Sequence, residues 1–161
     1  MSVKLTIFAI GNELLSGAVI DTNTSLIAKL LRPYGILLQK AVILPDDHRV
    51  IVQAFAKEAP ESDLIITTGG LGPTSDVLTR DAIAEAAGVR TQEHAAARAK
   101  LEELLKRRGR TVNENNLRQV YFPEGATVLT NRTGTADSFC TEVRLSTPTT
   151  TTIPVISLPG I

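Results

Sequence analysis

The chain is 161 residues long, with 43% hydrophobic and 21% charged residues, the proportions of an ordinary globular protein. Such a length suits one domain, residues 1–161, burying roughly 70% of the surface its unfolded form exposes. Seventeen basic and seventeen acidic residues give zero net charge, and aromatics are 4% with no tryptophan, which argues against a general nucleic-acid binder. Cys140 is the lone cysteine, so an internal disulfide or cysteine zinc site is ruled out. The apolar N-terminal stretch ends at Asn12 and Glu13, too early for a signal h-region or a membrane span. The expectation is a cytoplasmic protein with a small-molecule partner, and neither nucleic acid nor membrane.

In chain order, Val3 to Ile10 reads as a buried strand, apolar and β-branched with little polar interruption. The turn GNELLSG follows. Asp21 or Thr22 can cap a helix whose Leu26, Ile27, Leu30 and Leu31 fall at helical spacing. Ile36 to Leu44 is a second strand, and Pro45-Asp46-Asp47 opens a helix with Val50, Ile51, Ala54 and Phe55 on one face. Leu64 to Thr68 is a third strand, followed by a glycine-rich turn and a helix ending at Gly88. This β-α-β-α-β-α order predicts parallel strands with right-handed crossovers. The loops Gly11 to Gly17, Pro45 to His48 and Gly69 to Asp76 then converge on the edge where such sheets bind ligands.

The second half is less regular. Gln92 to Arg108 reads as a charged helix with Leu101, Leu104 and Leu105, and Thr111 to Val120 as a short helix capped near Asn113 or Asn115. Short strands are expected in PEGATVL, Ser138 to Leu145 and Ile153 to Leu158, with STPTTTT as a surface hairpin loop.

The segment DLIITTGGLGPTSDVLT, Asp63 to Thr79, carries the functional signal. Three glycines, Gly69, Gly70 and Gly72, stand between a strand and a helix, where backbone can approach an anion and helix-start N–H groups can point at it. The turn has neither the Gly-Lys-Ser/Thr of a P-loop nor a GxGxxG dinucleotide fingerprint. A plain tight turn is the bland alternative. Thr68, Pro73, Thr74, Ser75 and Thr79 complete the candidate phosphate cradle, although Thr79 also reads as a helix cap. Arg80, in the first helical turn, opposes the helix dipole and can serve a phosphate.

The acidic candidates are Glu13, Asp21, Asp46, Asp47 and Asp76. Carboxylates on converging loops can hold a divalent cation, Mg2+ or a transition metal, that shares substrate phosphates, or they can orient water. Asp21 and Asp46 also stand where helix caps belong, and Asp47 reads as solvent-facing. Glu13 and Asp76 are favoured as metal ligands, with Asp46 and Asp76 as catalytic groups. His48 is a candidate base that reads equally as exposed. His94 reads as solvated, and the basic run at 106–108 complements a helix C-terminus.

The segments AIGNELLSG, DTN at Asp21 to Asn23, TTGGLGPTSD with Thr79, RQVYFPEGATVLTNRTGTA and VISLPG together resemble the N-terminal domain of CinA-type competence-inducible proteins. That domain belongs to the molybdopterin-binding superfamily with MoaB, MogA and gephyrin-G type domains. The resemblance implies a three-layer α/β/α fold with a mostly parallel sheet and a pterin- or nucleotide-phosphate pocket at the glycine loop. It implies metal-dependent ADP-ribose pyrophosphatase activity in the CinA-like branch, and molybdopterin binding in the cofactor-biosynthesis branch. It also implies a homo-oligomer, dimer or trimer. A separate C-terminal amidase domain, which the family carries, is absent from these 161 residues. By the family pattern Glu13 lies in a Gly-x-Glu turn and Asp46 is the aspartate after strand two. Two departures stand out: Val77 replaces a second aspartate in the loop, and Asp137-Ser138 replace Pro-Gly after Gly-Thr-Ala.

Overall fold

The computed structural model describes residues 2–73, 78–145 and 151–160. Strand β1 (Val3–Ile10) leads into one helical turn, α1 (Asn12–Leu15), and then α2 (Asn23–Leu31). Strand β2 (Ile36–Leu44), helix α3 (His48–Glu58), strand β3 (Leu64–Thr68) and helix α4 (Thr79–Ala87) follow. The second half comprises β4 (Thr91–Glu93), α5 (Ala95–Arg107), α6 (Glu114–Leu117), β5 (Tyr121–Pro123), β6 (Thr127–Leu129), β7 (Ser138–Arg144) and β8 (Thr152–Leu158).

Six strands form one sheet in the order β2-β1-β3-β8-β7-β6. The pairs β1–β2, β1–β3 and β3–β8 are parallel, whereas β7 runs antiparallel to β8 and to β6. Alternating side chains divide the sheet into two faces. On one face Phe8, Ile65, Phe139 and Val155 join Ile51 and Phe55 of α3, Ile83 of α4 and Leu101 of α5 in the larger core. Phe8 and Phe55 meet edge to face with ring centroids 5.1 Å apart, a geometry that adds to area burial. On the other face Leu5, Ile7 and Ile66 pack with Ile27 and Leu31 of α2. The chain is therefore a mixed α/β protein with a central, mostly parallel sheet and helices on both faces.

Caps were partly misassigned by sequence. The cap of α3 is Asp47, whose Oδ1 accepts the Val50 N–H at 3.1 Å, rather than Asp46. Asp21 does cap the start of α2: its carboxylate accepts the Thr24 N–H and the Thr24 hydroxyl. Asn113 and Asn116 form a reciprocal capping box on α6. The expected helix from Gln92 begins only at Ala95, because Gln92 and Glu93 pair with Phe122 and Tyr121 in a small antiparallel ribbon. His94, expected in solvent, sits at this junction. Its Nδ1 accepts the Ala97 N–H and its ring packs edge-on to Phe122. The strand β5 was not foreseen. Most of STPTTTT lies outside the described residues, and β7 and β8 pair antiparallel on either side of it.

Replacing Phe55 by alanine removes a ring that is 1% exposed, with an expected loss of about 3–5 kcal/mol in urea unfolding. Asp47→Ala, which removes only the α3 cap, is expected to cost about 1 kcal/mol in the same measurement.

Candidate ligand site at the carboxyl edge of the sheet

The chain steps from β1 outward to β2 and then back across to β3 on the other side of β1. The strand order thus reverses between β1 and β3, and the crossovers on the two sides lie on opposite faces. Beyond the carboxyl ends of two such strands a crevice opens, which is where open α/β sheets take ligands. Here the β1–α1 turn and the glycine loop border it.

Both loops begin as extensions of the sheet. The Gly11 N–H donates to the Leu44 carbonyl and the Gly69 N–H to the Leu158 carbonyl, each at 3.0 Å. Gly69 then takes φ +90°, and a Cβ on it would lie 2.1 Å from the Ile10 carbonyl oxygen. Gly70 follows with φ +64°, and its Cβ would lie 2.1 Å from Thr79 Oγ1. Neither position admits a side chain: the backbone conformation and the space both exclude one. The loop is pressed between the end of β1 and the start of α4. The N–H groups of Gly70, Leu71 and Gly72 have no acceptor among the described residues, so they remain available to a ligand anion.

A cavity of about 150 Å3 lies at this edge, with Glu13, Asp21, Asn23, Thr68, Gly69 and Gly160 in its wall. Sequence reasoning named Glu13, Asp21, Thr68 and Gly69, and the fold brings them together. It gave Gly160 no role, because that residue arrives only through the pairing of β8 with β3. A hollow of about 260 Å3 between α3 and β7, lined by Val52, Phe55 and Val143 among others, lies away from these loops and is a packing gap.

The remaining candidates divide. Asp46 accepts the Asn12 N–H at 3.0 Å while Asn12 Oδ1 accepts the Asp46 N–H at 3.2 Å, so this carboxylate clasps the loops after β1 and β2. Glu13 folds back so far that a Cβ on Gly11 would meet its Oε1 at 2.4 Å. Thr79 is the first residue of α4 rather than its cap, which is Leu78 with no side-chain bond. Its buried hydroxyl has no hydrogen-bond partner and abuts Gly70. Gly72 and Pro73 continue the loop, while Thr74, Ser75, Asp76 and Val77 lie outside the described residues. His48 pairs with Glu85 at 3.2 Å, linking α3 to α4 away from the crevice.

Arg80 is 3% exposed, and its Nη1 donates to the Leu71 carbonyl at 3.0 Å. It supports the glycine loop from within the protein.

The expected metal site does not gain support. Among the described residues no group of three or more histidine, cysteine or acidic side chains is placed to hold an ion. Asp21 and Asp46 are engaged as a cap and a clasp, which leaves Glu13 as the uncommitted carboxylate among the described residues of the crevice wall. Asp76, the other expected ligand, lies outside the described residues.

The substitution at Asp137 has a structural reason that sequence did not reveal. Its buried carboxylate pairs with Lys100 and accepts the Asn131 N–H at 2.7 Å. Asn131 Oδ1 in turn accepts the N–H groups of Thr133 and Gly134, so the NRTGTA turn is tied to α5 by charge.

A family model described as "Probable molybdopterin binding domain" matches residues 6–161. A CinA-like protein of Anaeromyxobacter dehalogenans is 33% identical over 159 residues, 99% of this chain and 37% of its own length. A CinA-like protein of Kosmotoga olearia is 40% identical over 134 residues, covering 83% of this chain and 32% of that protein. The chain thus spans about a third of the curated relatives it matches. Among solved structures, the protein CinA of Thermoplasma acidophilum, described as of unknown function, superposes with TM-score 0.84. It is 27% identical, over 99% of this chain and 89% of that one. The tungsten cofactor synthesizing protein MoaB of Pyrococcus furiosus shares the fold at TM-score 0.58 and 17% identity, over 99% and 83% of the two chains. With this fold, this glycine loop and a match along nearly its whole length, the chain belongs to the molybdopterin-binding domain family and resembles its CinA-like members.

Proposed function

We propose that the chain is a binding domain for a phosphate-bearing pterin or nucleotide, with molybdopterin the first ligand to test, and that it has little or no turnover. The observation that carries this reading is the loop at the strand-order reversal. Gly69 and Gly70 bring backbone against β1 and α4, leaving three successive N–H groups without acceptors among the described residues. Gly70 and Gly72 would offer two of these, and the Thr68 and Thr79 hydroxyls would add polar contacts. Pro73, Thr74 and Ser75 continue the cradle in sequence. The wall that Ile10, Leu14 and Val19 contribute to the cavity beside Thr68 and Gly69 suits the flat face of a heterocycle. MoaB shares the fold, and the tungsten cofactor chemistry in its description motivates the pterin.

Hydrolysis of ADP-ribose has weaker support. Asp46 is occupied by the Asn12 amide, the described acidic residues do not group around an ion, and Val77 stands in the family's acidic slot. The ligand test is a thermal shift with a phosphorylated pterin and with ADP-ribose. A ligand at a hundredfold its dissociation constant is expected to stabilise the fold by about 2.7 kcal/mol, and Gly69→Ala is expected to abolish the effect. Absence of any shift at high ligand concentration sinks the binding reading. AMP released from ADP-ribose by the unaltered chain with a divalent metal would restore the hydrolase, whereas release only by Val77→Asp supports a binder that lacks the chemistry.

Self-association has support of its own. Ile20 is 82% exposed and Tyr34 79%, and Leu26 and Leu30 on the outer side of α2 are more than half exposed. Apolar surface so concentrated on one segment marks an interaction site. Light scattering is expected to find an oligomer that Leu26→Ser with Leu30→Ser shifts toward monomer; a wild-type monomer at high concentration contradicts it.

A further inference from the structure

Arg80 presents an energetic problem that the glycine loop does not resolve. Its guanidinium is buried, yet among the described residues only Nη1 has a hydrogen-bond acceptor, and both Nε and Nη2 are without one. Burial lowers its pKa to about 10, with Asp137 and then Asp81 acting in the opposite direction. The group therefore remains a cation at neutral pH. Asp137 directs its contacts to Lys100 and Asn131, so Arg80 has no direct ion pair among the described residues. The face of Phe122, 5.2 Å from the guanidinium carbon, offsets part of the desolvation. A buried charge with two idle donors still costs more than a paired one.

The side chain also forms part of the wall of a cavity of about 240 Å3, together with Asp81, Thr91, Arg118 and Tyr121. This cavity shares no residue with the one beside Thr68 and Gly69. Its wall holds two guanidinium groups against one carboxylate, and the hydroxyls of Thr91 and Tyr121. The first turn of α4, whose N–H groups have no partner within the helix, supplies both Arg80 and Asp81. Arg118 and Tyr121 are exposed at the rim, and the Tyr121 hydroxyl donates to Glu93 Oε2 at 3.5 Å. A planar fork of donors beside a second guanidinium is the arrangement that recognises tetrahedral or planar oxyanions.

We propose that this cavity, between the start of α4 and the β4–β5 ribbon, is a second anion site that takes a phosphate or carboxylate group through Arg80 and Arg118. It stands whatever the glycine-loop crevice binds. It is also coupled to that crevice, because the same guanidinium holds the Leu71 carbonyl. An anion that draws Arg80 toward the cavity acts directly on the loop's backbone.

Inorganic phosphate is the probe, followed by the Arg80 Nε–H resonance in 15N NMR and by calorimetric titration. Expected is a saturable shift of that resonance, with affinity reduced at least about tenfold, some 1.4 kcal/mol, in Arg118→Ala. Asp21→Asn, in the other cavity, is expected to leave the affinity unchanged. Arg80→Lys keeps the charge but removes the fork, and is expected to weaken binding while preserving the fold. The proposal is overturned if phosphate up to tens of millimolar leaves the Arg80 resonance unmoved. It is equally overturned if phosphate affinity is unchanged in Arg118→Ala but increased in Asp21→Asn, whose lost carboxylate repels an anion only in the glycine-loop crevice.

Discussion

The contact between Gly69 and the Ile10 carbonyl is the constraint around which the functional edge is arranged. Parallel pairing of β1 with β3, in register from Leu5↔Leu64 to Ala9↔Thr68, delivers the two strand ends side by side. The chain leaving β3 must then pass so close to β1 that a Cβ on Gly69 would lie 2.1 Å from the Ile10 carbonyl oxygen. Only a glycine in a left-handed conformation can make that passage. Everything the crevice offers depends on it: the unengaged amides, the approach of Thr79 to Gly70, and the anchoring of Leu71 by Arg80.

Around that contact the polar groups do mostly structural work. Asp46 and Asn12 tie the loops after β1 and β2, Asp21 and Asp47 cap helices, and Asp137 fastens the NRTGTA turn to Lys100. Each is a group that could have served chemistry, and each has a hydrogen bond to satisfy instead. Among the described residues of this edge, what remains uncommitted is backbone N–H, the Thr79 hydroxyl and the Glu13 carboxylate. This inventory favours holding a ligand over attacking one, since binding needs donors in place whereas hydrolysis needs an activated water. Among the buried polar groups left without a partner, which also include the Thr79 hydroxyl and Gln119 Oε1, Arg80 is the one that carries a charge and two idle donors, and for that reason it points to a ligand of its own.

Much of the architecture was legible from residue order. Strands β1, β2 and β3 were read with their observed ends, because short, largely apolar runs punctuated by glycine or proline have few alternatives. The helix before Gly88 followed from the same punctuation. The second half was harder for a physical reason. Gln92 and Glu93 have no apolar pattern and become a strand only because Phe122 and Tyr121 come to lie beside them. Tyr121–Pro123 is too short to display a period at all. His94 looked like a solvated side chain since nothing local shows that Phe122 will cover it.

The sequence by itself determined that a strand ends in a glycine-rich turn opening a helix, that parallel order carries this turn to the ligand edge, and that the chain belongs with molybdopterin-binding domains. The first two reside in local conformational preference and alternating periodicity, and the third in the resemblance of whole motifs to that family. Tertiary structure alone decided which acidic groups stay free, since Asp46 finds Asn12 across 34 residues and Asp137 finds Lys100 across 37. It also decided that Gly160 joins the crevice and that Arg80 is buried with idle donors. Hydrogen bonds and burial between distant segments depend on how the layers close, and no local pattern records that closure.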